Sequence, residues 1–266
     1  MKNLYKVFFT TILMTSLFAA NAFAACGGSS PNLIAADASR GEVLACLNTA
    51  KNGDIINIPA GTSTWASGIS TGSKSVTIKG AGIGKTVITL SSGNYVFTIG
   101  GGSVRIYDMT FVAGGLFIDG KDFVVGRIRF DNTANTKQFR LVYIQGMNGY
   151  HPTGVIHSCI FDNVSMELPA VYDTVPQQGV TWALPYGYGD PRGTVYVEGN
   201  IFSKTVPVNM NVIDGRLSTR TVMRSNDIVA NSNQTNCGFH IEAHSVQDAQ
   251  TKRGYMRWEY YNNIQN

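Results

Sequence analysis

Four residues in the last third of the chain have types and spacing suited to acid–base chemistry on a bound substrate. Asp214 lies in VIDGR (212–216) and Glu242 in HIEAH (240–244), each directly after an Ile that closes a short apolar run. His244 stands two residues beyond Glu242, on the same side of an extended chain. Arg224 stands one past Met223, which reads as inward, so Arg224 faces out. Acids, an imidazole and a guanidinium on one outer face support two reactions. A β-eliminating lyase neutralises a uronate carboxylate with cations, or with Ca²⁺ held by acids, and removes the neighbouring proton with Arg, Lys or His. In that reading Arg224, Lys252 or Arg253 holds the uronate and His244 is base or acid. A glycoside hydrolase instead needs two carboxylates, ~5–5.5 Å apart for retention or ~6.5–9.5 Å for inversion, and Asp214 and Glu242 would be that pair. The plainest reading makes all four solvated face residues, with Asp214 turning the chain before Gly215.

What must position these residues is a repeat. An eight-residue pattern recurs as VTIKGAGI (76–83), VRIYDMTF (104–111), FVVGRIRF (123–130), GVIHSCIF (154–161), VYVEGNIF (195–202), TVMRSNDI (221–228) and RWEYYNNI (257–264). Position 8 is always Ile or Phe, and position 6 ends in a run of Asn200, Asn226 and Asn262. A second short pattern precedes most copies: FTIGG (97–101), FIDGK (117–121), YIQGM (143–147), VIDGR and HIEAH. One repeat therefore reads as strand, turn, strand, loop, and a recurring unit with insertions marks a solenoid. Asp214 and Glu242 share one slot of neighbouring repeats, and adjacent strands lie about 4.8 Å apart. The Asn run is expected to form a hydrogen-bonded ladder in the turns.

The longest insertion, between Phe161 and Val195, contains Trp182, Tyr186 and Tyr188 with Gly187 and Gly189 between and after the tyrosines. Aromatic rings offer flat faces to the C–H faces of sugars, so these three are candidate substrate contacts, as are Lys252 and Arg253 in the 245–256 loop. Trp182 reads equally well as a plug beneath its own loop.

The sequence has 266 residues, 21 basic and 17 acidic. Lys2 and Lys6, the apolar run from Val7 to Ala20 and Ala22-Phe23-Ala24 read as a signal peptide over 1–24, with an arm over 25–38 and one repeat domain over 39–266. Without the leader the charge is nearly balanced, which gives no electrostatic case for nucleic acid, and no later stretch is apolar enough to cross a membrane. Phe23-Ala24-Ala25-Cys26 also resembles a lipoprotein cleavage box, which would anchor Cys26 to lipid. The chain is thus expected to be secreted, periplasmic or at the cell surface.

Four cysteines remain for an exported protein. Cys26–Cys46 is the plausible disulfide, pinning the arm to a helix over 39–51, where Ser39 and Glu42 form a capping box and Val43, Leu44 and Leu47 an apolar stripe. Cys159, at position 6 of its window, reads as a buried thiol. Gly80 to Thr86 looks like a phosphate loop, but Lys79 stands where the first Gly is required and VITL follows instead of a helix, so it reads as a turn.

GDIINIPAGTSTW (53–65) followed by SVTIKGAGIGKTVI (75–88), with the later RWEYYNNI and TVMRSNDI, resembles exported bacterial β-helix repeat proteins of the pectin-lyase-like superfamily over about residues 40–266. The resemblance implies an all-β, right-handed parallel β-helix with a short N-terminal capping helix. It also implies polysaccharide as partner. It does not choose an activity, because such folds include lyases, hydrolases, tail-spikes and adhesins. The Asn-Thr-Asp, Asp-Asp and Gly-His-Gly motifs of polygalacturonase-type hydrolases are absent, as are the Trp-Ile-Asp-His and Arg-x-Pro-x-x-Arg motifs of the best-known pectate lyases. The expectation is a lyase-like enzyme on an acidic polysaccharide, with a non-catalytic adhesin-like or tail-spike-like binder and a glycoside hydrolase as alternatives. The stop two residues after an octad further suggests a chain truncated at its C-terminus.

Overall fold

The structure, a computed structural model, describes residues 26–119, 122–134, 140–144, 152–169, 194–205, 210–216, 219–230, 239–244 and 255–265; in several strands, including those that carry Glu167, Asp214, Arg216, Glu242 and His244, it gives backbone and register alone. The described residues form β-strands in a large sheet and a smaller one, with one short helix near their N-terminal end.

The arm begins with Gly27–Ser29, antiparallel to Asn32–Ile34, which pairs in parallel with Ile55–Asn57. Between them lies the helix Arg40–Thr49. Ser39 caps it, its Oγ accepting from the Glu42 N–H at 3.4 Å. The capping box is only half formed: the Ser39 N–H donates to Asp37 Oδ1 at 2.7 Å, so Glu42 is not its partner. Val43, Cys46 and Leu47 face the core, and Leu44 packs at its margin. At the other end Lys74 Nζ donates to the carbonyls of Leu47 (2.6 Å), Asn48 (2.9 Å) and Ala50 (2.9 Å), a cation where the helix leaves acceptors unsatisfied. Cys26 and Cys46 form a disulfide.

From Thr77 onward each repeat supplies three strand segments instead of the expected two. The smaller sheet takes the first, in the order Phe239–His244, Met210–Arg216, Ser165–Pro169, Arg140–Ile144, Gly115–Ile118, Tyr95–Ile99, Ile69–Ser70. The large sheet takes the two halves of the octad. In Val104–Val112 and Asp122–Asp131 the halves are continuous, and in later repeats they are separate strands such as Thr153–His157 and Ile160–Asp162. All these pairings are parallel, each strand lying beside its counterpart one repeat away.

The break between the halves falls at position 5, where the backbone is left-handed: Asp108 (φ 63°), Arg127 (53°), Ser158 (54°), Gly199 (62°) and Ser225 (55°). One such residue bends the strand and resets its alternation. Positions 1, 3, 6 and 8 consequently all point inward, and Val104, Ile106, Met109 and Phe111 are fully buried. The position 8 rings pile into a column, Phe111–Phe130 (5.7 Å), Phe130–Phe161 (4.9 Å) and Phe161–Phe202 (4.6 Å), the last two nearly parallel.

Two windows are mis-registered in the sequence reading. Gly80 to Lys85 is an inserted turn, so Ile88, not the exposed Ile83, sits beside Phe111. In the last window Asn262 takes the left-handed position (φ 53°), and Asn263 supplies the ladder rung. The phosphate-loop lookalike runs from the strand Thr77–Lys79 to the strand Thr86–Leu90, with no helix N-terminus to receive a phosphate.

Candidate active site

The smaller sheet carries the sequence-selected acids. Asp214 and Glu242 are direct partners on neighbouring parallel strands, about 4.8 Å apart by strand spacing. Two residues on, Arg216 partners His244. Asp214, Arg216, Glu242 and His244 thus form a two-by-two block on adjacent strands. The block continues into the preceding strand, where Glu167 partners Asp214 and Pro169 partners Arg216. Asp214 and Gly215 lie within the strand Met210–Arg216 and do not form the turn considered above.

One strand further, Tyr143 partners Glu167, and Phe117 partners Tyr143. Tyr143 is half-buried between the buried Val142 and Ile144, and Phe117 between the buried Leu116 and Ile118, so both rings lie on the outer side of the sheet. Their planes are within 9° at 5.3 Å, and Tyr95 adds a third ring 5.5 Å from Phe117.

Arg224 is elsewhere. It does face outward, but from the strand Thr219–Arg224 of the large sheet, not beside Asp214 and Glu242. Its Nη1 donates to the Tyr261 hydroxyl at 3.1 Å, its Nε to Glu198 Oε2 at 2.6 Å, and the guanidinium lies 5.7 Å over the Tyr196 ring. The Tyr261 and Glu198 bonds both push its pKa up. Position after an inward residue fixes which side of a strand a residue takes; it does not fix which sheet the strand joins. Trp182, Tyr186, Tyr188, Lys252 and Arg253 lie outside the described residues.

The large sheet bears two further charged groups on its outer side. Arg127 donates from Nε to Asp108 Oδ1 (2.6 Å) and from Nη2 to Asp108 Oδ2 (2.9 Å), and its guanidinium lies 5.0 Å over Tyr107. That bond holds the Asp108 carboxyl below the usual range. Arg129 Nε donates to Asp162 Oδ2 at 2.7 Å, yet burial pushes the Asp162 carboxyl up. Both acids are tied to arginine and serve as cross-strand braces. Cys159 is a fully buried thiol, raised by burial to about 12, and lacks nucleophilic character.

Glu167 and Arg216 were missed from the sequence. Glu167 lies in SMELP, which lacks the Ile-plus-small ending of its sister strands. Arg216 was in plain view as the last residue of VIDGR, and only the pairing with His244 marks it. Among the described residues no group of three His, Cys, Asp or Glu side chains is set to hold a metal, and no helix is long and apolar enough to cross a membrane.

In comparisons with known proteins, no family model, no curated protein and no solved structure matches the chain.

Proposed function

We propose that the chain is a right-handed parallel β-helix of the pectin-lyase-like kind, exported, and that it acts as a lyase on an acidic polysaccharide at the outer side of its smaller sheet. The parallel pairing of each strand with its counterpart one repeat away supports the solenoid, and parallel crossovers are almost always right-handed. The observation that carries the activity is the register block in which Asp214 partners Glu242 and Arg216 partners His244.

Lyase chemistry needs charge neutralisation at the uronate carboxylate and a base beside the adjacent carbon. Arg216, not Arg224, is the arginine in register with His244, so it takes the role of holding the carboxylate. His244 takes the proton next to that carboxyl group as the bond to the leaving sugar oxygen breaks; the electron pair of the lost C–H becomes the new double bond, and the leaving oxygen takes a proton from water.

Incubation with a panel of uronate polymers, following absorbance of unsaturated products, tests the reading. Product with at least one acidic polymer, lost in His244→Ala, is expected. A second reading, glycoside hydrolysis, is favoured by the direct partnership of Asp214 and Glu242 on strands about 4.8 Å apart, a spacing close to the ~5–5.5 Å of a retaining pair. New reducing ends without unsaturated product would select it.

A further inference from the structure

We propose that the N-terminal end of the large sheet's outer side docks on an anionic lipid bilayer, Ile34 and Ile83 entering the headgroup boundary and Lys79, Lys85 and Arg105 meeting the lipid phosphates. Register fixes the face. Leu33, Ile56, Ile78 and Ile106 point into the core, so Ile34, Asn57, Lys79 and Tyr107, each one residue on, form an outward row across four strands. Arg105 lies on the same side, two residues before Tyr107 and beside Thr77.

The inserted turn Gly80 to Lys85 is held against this row. The Gly80 N–H donates to the Tyr107 carbonyl at 2.9 Å and the Gly82 N–H to the Asp108 carbonyl at 2.8 Å. Gly82 and Gly84, at φ 138° and 73°, carry between them a branched apolar residue, Ile83, that is 37 % exposed. Ile34 is 49 % exposed on the same face. One exposed isoleucine is ordinary on a surface. Two set among free cations give the mixed apolar and basic contact that holds a protein at a bilayer surface.

Charge selects the kind of bilayer. Lys79, Lys85 and Arg105 are exposed and form no ion pair among the described residues. The neighbouring acids are engaged, Asp108 by Arg127 at 2.6 Å and Asp122 by the Ser103 hydroxyl at 3.4 Å. Further along the same row Glu198 and Arg224 neutralise each other, so uncompensated positive charge gathers at this end. Cations attract sugar acids as well as lipid phosphates. The isoleucines decide between them, because an aliphatic tip has no flat face for a sugar and enters acyl chains readily. The face lies on the large sheet, so the inference is independent of the activity proposed above.

The test is cosedimentation of the exported chain, residues 1–24 removed, with vesicles of phosphatidylglycerol and phosphatidylcholine in equal parts, beside vesicles of phosphatidylcholine alone. Binding to the mixed vesicles only is expected, falling as salt is added. Lys79→Gln with Arg105→Gln should weaken it about 25-fold. Ile83→Ser should weaken it about fivefold, with an unaltered melting temperature. Ile201→Ser, at a similarly exposed isoleucine (40 %) on a later strand, should bind as the parent. Absence of binding to the mixed vesicles overturns the inference, as does equal binding by parent and Ile83→Ser. Retention of Ile83→Ser on a uronate polymer, lost in Lys79→Gln with Arg105→Gln, would assign the face to an acidic sugar polymer and overturn the lipid assignment. None of these outcomes bears on the product assay, whose residues lie on the smaller sheet.

Discussion

Asn226 and Asn200 are joined twice: Asn226 Oδ1 accepts from the backbone N–H and from the side-chain Nδ2 of Asn200, both at 2.9 Å. Asn226 Nδ2 in turn donates to the Val197 carbonyl (2.9 Å), and Asn263 repeats the pattern one strand on. Cys159 closes the ladder, its N–H donating to Asn200 Oδ1 at 2.9 Å. The bends at position 5 free backbone groups inside the fold, and these side chains satisfy them.

Asn226→Ala therefore strands an N–H and a carbonyl in a buried turn, at a cost of about 2–4 kcal/mol. Urea midpoints check this. Asn263→Ala should be costly as well, whereas Asn262→Gly, at a left-handed position, should be close to neutral. The reverse order would restore the register read from the sequence.

That register shows how far the sequence reaches. Alternation and the recurring Phe/Ile identify inward positions well, because burial is periodic; VRIYDMTF and FVVGRIRF lie in register as read. Insertions defeat it. The turn at Gly80 to Lys85 moves the pattern without changing residue types, and the last octad starts one residue later than the pattern suggests, Trp258 to Tyr261 pairing one for one with Thr221 to Arg224. The pairing of Asp214 with Glu242 was legible because both follow Ile in sister segments. Arg224 was misplaced, and Arg216 overlooked, because one octad feeds a different sheet from the strand before it.

The Cys26–Cys46 disulfide joins residues 20 apart in sequence, and Cys46→Ser should lower stability by about 2–4 kcal/mol. A sulfur in that disulfide has no thiol for a lipid thioether, so disulfide and lipid anchor are alternatives at Cys26. Thiol titration separates them. Unfolded, the disulfide form exposes two thiols, Cys159 and Cys237. A lipidated chain exposes three on unfolding, Cys46, Cys159 and Cys237.

The Asp108–Arg127 pair gives a pH dependence of definite sign. The folded carboxyl is held below the usual carboxylate range, first by the Arg127 hydrogen bond. Its contribution is thus present above the unfolded value and lost as pH falls through the lower folded one. Asp108→Asn keeps a residue tolerant of the left-handed backbone and should cost about 0.5–1 kcal/mol at neutral pH, and nothing well below the carboxylate range. Urea midpoints at the two pH values measure it.

Phe161 stands between two rings in the position 8 column, 4.9 Å from Phe130 and 4.6 Å from Phe202. Phe161→Ala should cost about 3–5 kcal/mol, and Phe161→Leu clearly less. Equal destabilisation by the two would mean that ring stacking, not filled volume, holds the column.

The most direct measurement is the rate of unsaturated-product release from a uronate polymer by Arg216→Ala beside Arg224→Ala. The account predicts that the first abolishes release and that the second leaves it within about twofold, because Arg224 is bound to Glu198 and Tyr261 on the other sheet. Loss in Arg224→Ala with full activity in Arg216→Ala would contradict it.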